Sequence, residues 1–344
     1  MEDNRYPWEI DQPQLSEEEL QKKQLRRQAN IQGGALLIYK GIMNVAVIAL
    51  TSAATVIVAI MATIAGFMHG AQDMDMAAFT GELLTNVMGF GYLLAVVIGF
   101  VILLLWKKPC YIRQTILQKG NPMSPVSFLA LVCLVFGCQL PAQLLTYGFD
   151  WLCGLFDGSF MEVLEQNAVD TDSLTMWLYV CLAAPIAEEL LFRGLLLRSL
   201  EPYGKKFALL VSSVLFGLFH ANPVQTPYAF LVGLLLGYAA LQYHVVWAIV
   251  LHILNNLLLG DLLPRLLGIL PYGLEEALGW IILGAFFLAA LFVLLIKWRL
   301  VAEKCAEEQV QPWQRKAFWR APCVVILCIW CCIDIAVFFL LMFL

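Results

Sequence analysis

The chain has 344 residues, of which 61% are hydrophobic and only 14% charged, with a formal net charge of −5. Soluble domains carry about 45–50% apolar and about 25% charged residues, so this surplus cannot be hidden in one soluble core. The composition excludes a soluble enzyme, a nucleic-acid binder and a disordered chain, and it implies a polytopic membrane protein.

The first 34 residues are polar: Glu17, Glu18 and Glu19 precede Lys22, Lys23, Arg26 and Arg27. Ser16 and Glu19 have capping-box spacing, which predicts a short amphipathic helix here. No basic stretch precedes an apolar run, so no cleavable leader is expected. Apolar runs follow near 36–67, 87–106, 126–148, 175–198, 207–221, 228–243, 245–259, 276–298 and 321–344. A bilayer crossing needs about 20 residues, which predicts nine spans. The fifth, sixth and seventh are short enough to be tilted, re-entrant or buried among their neighbours. The expected fold is therefore all-α, a polytopic transmembrane helical bundle. Four parts follow: a cytoplasmic segment (1–34), three spans with their loops (35–174), a motif-bearing core (175–260) and C-terminal spans (261–344).

Basic residues set the expected orientation. Lys107, Lys108, Arg113 and Lys119 lie between the second and third spans. Arg198, Lys205 and Lys206 follow the fourth, and Lys297, Arg299, Lys304, Arg315, Lys316 and Arg320 follow the eighth. The intervening loops, 68–85 and 150–174, hold no Lys or Arg, and only Arg265 falls on the opposite side. This alternation predicts an integral multi-pass protein, in the plasma membrane, with its N-terminus inside and its C-terminus outside. The ten cysteines lie mostly within spans, so even the Cys328–Cys331 pair reads as small hydrophobes rather than as a disulfide or metal framework. His244 and His69 read as interfacial and loop residues, and the tryptophans at span ends as interface belts. Lys40 reads as snorkelling to the cytoplasmic face. Asp334, in the last span, is expected against a polar neighbour such as Gln139 or Gln143.

Charges inside a membrane span are costly and mark functional sites. The fourth span contains Pro185, Glu188, Glu189 and Arg193. Glu189 and Arg193, four apart with the acid first, share a helix face and pair favourably. Glu188 lies about 100° round the helix without a local partner. Pro185 removes a backbone hydrogen bond just before the pair and predicts a kink. Phe216 and His220 in the fifth span are also four apart, as are His252 and Asn256 in the seventh, with Asn255 beside them. At about 1.5 Å of rise per residue, Glu188, His220, His252 and Asn256 all come to mid-membrane depth. Three helices thus deliver polar groups to one level, as an active site within the bundle requires.

Glu188-Glu189-x-x-x-Arg193, Phe216-x-x-x-His220 and His252-x-x-x-Asn256 together resemble the three-motif signature of the CAAX protease and bacteriocin-processing family of intramembrane endopeptidases. The resemblance covers about 175–260 and implies roles. Glu188 would activate the attacking water beside His220, and His252 and Asn256 would hold the oxyanion or position the water. Glu189, Arg193 and Phe216 would support them. The implied substrate is a membrane-associated peptide or lipidated protein, as in CAAX processing or in bacteriocin maturation and self-immunity. A carboxylate in a low-dielectric pocket suits general-base work, and imidazole and amide groups suit an oxyanion. The same residues also read as a zinc site, with Glu188, His220 and His252 as ligands. The reading without metal is preferred, because Asn is a poor zinc ligand and a single-carboxylate mechanism leaves Glu189 free to pair with Arg193. Two other classes compete: a non-catalytic immunity or scaffold protein of the same fold, and a transporter, for which no repeat of broken helices is visible.

Overall fold

A computed structural model of the chain describes residues 16–69, 76–118, 120–166, 171–307 and 309–341. The described residues form helices and connecting turns, with no strand. The protein is an all-α polytopic bundle.

The first helix runs without interruption over Glu17–His69. The sequence predicted a short amphipathic helix and then a separate span, but the two are one rod, because no proline intervenes. The capping box forms as expected: Ser16 N–H donates to Glu19 Oε2 at 3.0 Å, and Glu19 N–H to Ser16 Oγ at 3.3 Å. Gly33 is tolerated inside this helix because the last helix (Pro322–Leu341) crosses against it. A Cβ there would stand 3.0 Å from the Val324 backbone nitrogen.

Among the described residues, six helices are long and apolar enough to cross a membrane by length and composition. They lie within Glu17–Met61, Leu83–Trp106, Pro125–Gly154, Val245–Leu267, Leu274–Lys304 and Pro322–Leu340. The other three expected spans correspond to the motif helix (174–200) and to the helices Lys205–Phe219 and Gln225–Gln242. The last two pack against each other as an antiparallel hairpin. With 15 and 18 residues, they reach about 22 and 27 Å, short of a hydrocarbon core of about 30 Å. Apolar packing closes the bundle around this hairpin: Leu25, Phe192, Phe207, Phe216, Phe318 and Val324 belong to one buried cluster. Such interlocking matters inside a bilayer, where lipid tails are as apolar as the side chains and close packing decides association.

Segments that the sequence places on one side of the membrane meet at one end of the bundle. His244 caps its helix by accepting Val246 N–H at Nδ1 and donates from Nε2 to Leu117 O at 3.1 Å. Gln314 donates to Tyr203 O, and Arg198 donates to Ala240 O at 2.7 Å. At the opposite end, Arg265 is not a stray charge. It pairs with Asp172 at 2.7 Å and Asp261 at 2.9 Å, while Trp177 Nε1–H donates to Asp261 at 3.1 Å.

Two expectations for buried charges are overturned. Lys40 does not snorkel. It is buried (7% exposed) and forms an ion pair with Asp334 at 2.8 Å, its ammonium 5.1 Å from the Phe219 ring centre. Asp334 therefore meets a cation, while Gln139 donates instead to Tyr228 Oη at 2.7 Å. Cys110, Cys133, Cys138, Cys181, Cys323, Cys328, Cys331 and Cys332 form no disulfide.

Candidate active site

The motif helix is not a plain α-helix. Turns of π-helix over Tyr179–Ala183 and Leu190–Leu197 flank the α-helical stretch Ala184–Glu189. Each π turn shifts the side chains around the axis, and such turns concentrate at functional sites. Pro185, expected to kink the helix, sits at the junction where the first π turn ends.

Glu189 and Arg193 form the expected pair, Nη1 to Oε1 at 3.0 Å, and both side chains are fully buried. Arg193 is held on further sides. Its Nη2 donates to Gly233 O at 3.3 Å, and its guanidinium carbon lies 4.0 Å from the centre of the Phe216 ring. A Cβ at Gly233 would come within 3.2 Å of both Arg193 Nη2 and Phe216, so glycine lets the hairpin approach the charge.

Glu189 has a second partner that sequence reasoning missed. His252 Nδ1 lies 2.9 Å from the same Oε1. A carboxylate flanked by a cation accepts, so Nδ1 carries the hydrogen and Nε2 is the open nitrogen. That nitrogen stands 3.9 Å from Glu188 Oε2. Glu189 Oε2 has no hydrogen-bond partner in the structure. Glu188 differs from its neighbour in keeping 19% of its side chain open, against none for Glu189. Tyr39, Tyr179, Arg193 and His220 all lie within electrostatic reach of Glu188. The two tyrosines carry no motif signal and became visible only through the fold, which packs Tyr39 and Tyr179 beside Ala187.

His220 is the C-cap of its helix. The chain turns there through Ala221, whose φ of 53° is left-handed, as at many helix ends. Its Nδ1 lies 2.8 Å from Phe216 O. A carbonyl only accepts, so Nε2 is again the open nitrogen. The Phe216 ring is the hub of the cluster, with its centre 4.8 Å from that of His220 and 5.8 Å from that of His252. The first two motifs and His252 thus converge.

Asn256 reaches the group by another route: its Nδ2 donates to Val180 O at 3.0 Å. One of its two N–H donors, expected at an oxyanion, is thereby committed to the motif helix.

Zinc was the alternative reading of Glu188, His220 and His252. Both imidazoles present Nε2, as metal ligands do when the other nitrogen is held by a carboxylate or carbonyl. Among the described residues, however, no three His, Cys, Asp or Glu side chains are grouped closely enough to hold a metal ion.

Residues 170–258 match the family model described as Type II CAAX prenyl endopeptidase Rce1-like. That segment spans all three motifs, and the match agrees with the resemblance they carry. No curated protein and no solved structure matches the chain.

Proposed function

We propose that this membrane protein is an intramembrane endopeptidase that hydrolyses a peptide bond in a membrane-associated peptide or lipidated protein, with Glu188 as general base. The observation that carries the reading is the 3.9 Å between Glu188 Oε2 and His252 Nε2. The separation is too long for a direct hydrogen bond and suits a bridging water. Both atoms are acceptors when Glu188 is ionised and His252 holds its hydrogen on Nδ1. A water donating to both is left with its lone pairs free for attack.

The chemistry follows from these assignments. Glu188 takes a proton as the water adds to the scissile carbonyl, then returns it to the leaving amine. Arg193 neutralises Glu189, so His252 needs no charge of its own to keep its partner. Oxyanion stabilisation falls to the second N–H of Asn256, in a water-poor site where such a donor acts strongly, while His220 keeps its open Nε2 beside the attacking water. Tyr39 and Tyr179 pack around Ala187, the residue before Glu188. The match to a prenyl endopeptidase model supports a lipidated protein with a short C-terminal extension as the substrate class; a bacteriocin-type peptide is the second candidate.

The purified protein, reconstituted in liposomes, should cleave a prenylated peptide carrying a short C-terminal extension. Glu188→Gln should abolish cleavage while leaving the melting temperature within a few degrees of wild type. Cleavage retained by that variant would remove Glu188 from the role of base.

A further inference from the structure

Val180 O would ordinarily accept a backbone hydrogen bond. Ala184 N–H, its donor in an α-helix, bonds Tyr179 O instead because the turn is π. In π register the donor would be residue 185, which is proline and has no N–H. A buried carbonyl without a donor is costly. The side chain of Asn256 fills this place, its Nδ2 at 3.0 Å.

A chain of side chains behind that bond runs in the matching direction. Because Val180 O can only accept, Asn256 must present Nδ2 to it and turn Oδ1 away. Asn255 Nδ2 donates to that Oδ1 at 3.3 Å. Asn255 Oδ1 then accepts from Tyr228 Oη–H at 2.9 Å, and Tyr228 Oη accepts from Gln139 Nε2 at 2.7 Å. The donors all run one way, from the helix Gln139–Gly154 through Tyr228 of the hairpin and the segment Asn255–Leu262 to the motif helix. No member could reverse without placing two acceptors or two donors face to face.

We infer that Tyr228, supported by Gln139 and passing through Asn255, is a positioning residue that fixes the orientation of the Asn256 amide. The relay thereby braces the π turn ahead of Glu188 and aims the remaining Asn256 N–H. Connected polar networks of this kind gain rigidity because each bond orients the next. The inference rests on the proposed hydrolase reading, but its test also has a readout that needs no activity.

Tyr228→Phe removes only the hydroxyl. In the purified full-length protein it should lower kcat about tenfold with KM within about twofold. Gln139→Leu, which removes the outermost donor, should lower kcat by less, about threefold, and stands in should Tyr228→Phe fold poorly. Once Asn256→Ala has removed the oriented amide, Tyr228→Phe should cost nothing more, whereas a purely structural tyrosine would add its own loss. Amide hydrogen exchange, followed in parallel, should rise over 181–187 in Tyr228→Phe and stay as in wild type along Leu274–Glu307. Additive losses with Asn256→Ala, or a Tyr228→Phe protein with wild-type kcat, would overturn the relay while leaving the hydrolase reading intact. If the wild type cleaves nothing, the hydrolase reading fails, and unchanged exchange over 181–187 would overturn the relay independently.

Discussion

His252 offers its Nδ1 to Glu189, 2.9 Å away, and only its Nε2 faces Glu188, at 3.9 Å. The two adjacent glutamates therefore hold opposite ends of one imidazole. Glu189, sealed and flanked by Arg193, fixes the tautomer; Glu188, partly open, meets the nitrogen that the tautomer leaves bare.

Substituting the two carboxylates should accordingly give different losses. Glu189→Gln removes the counter-charge of a fully buried guanidinium, which should cost about 3–5 kcal/mol of stability. It also removes the acceptor that holds His252 Nδ1–H, so residual activity should fall even in the folded fraction. Glu188→Gln should leave the melting curve nearly unchanged and abolish turnover. Thermal melts in detergent, set beside cleavage rates, check this; equal melting losses for the two variants would contradict the assignment.

The pairing of Lys40 with Asp334 leads to a second asymmetry. Lys40 is buried, whereas Asp334 keeps about a third of its side chain open. Asp334→Leu strands an ammonium among apolar helices and should cost about 3–5 kcal/mol; Lys40→Met strands a partly solvated carboxylate and should cost less. The double variant should recover most of the loss, because the pair goes together. Unfolding of all three variants measures this directly, and additive losses would show that the two residues do not depend on each other.

Lys40 also shows where sequence reading stops. Its charge within an apolar run was visible, but its partner, 294 positions later, depends on which helices are neighbours, and hydropathy carries no such information. Residues whose relations are local were legible. The four-residue spacings of Glu189 with Arg193 and of Phe216 with His220 became contacts because one helix turn enforces them. The three long-range bonds that organise the site were not legible: His252 to Glu189, Arg193 to Gly233 and Asn256 to Val180. The π turns leave no periodic signature either. Tyr228 was hidden for a related reason, since a lone tyrosine in an apolar helix looks like packing until its partners are in place, and Asn255, visible beside His252 and Asn256, gave no sign of that tyrosine.

Topology is open to direct measurement. Loops rich in Lys and Arg gather at one end of the bundle, whereas Arg265 with Asp172 and Asp261 marks the other. The positive-inside rule then assigns the basic end to the cytoplasm. Reporter fusions after Gln166 and after Gln311 should report opposite sides, outside and inside respectively. The same side from both would mean that the chain crosses an even number of times between them, and the nine-span map would fall.

Metal dependence is the last expectation, and the tautomers bear on it. His220 and His252 each commit Nδ1, to a carbonyl and to a carboxylate, and each leaves Nε2 open. A zinc ion would use such nitrogens, but it would also need a third ligand in the same group. Glu188 is the one carboxylate placed to serve, and as a ligand it would cease to be the base. Glu189 is fully buried and its Oε1 already serves Arg193 and His252. A water accepted by Glu188 and His252 needs no such exchange of roles. Activity should therefore survive prolonged treatment with a strong chelator, and the purified protein should hold far less than one zinc per chain. His220→Ala and His252→Ala should each lower kcat by at least about a hundredfold, without any change in metal content. Stoichiometric zinc, with activity lost on chelation and restored by added metal, would overturn the glutamate-base mechanism and leave the endopeptidase assignment standing.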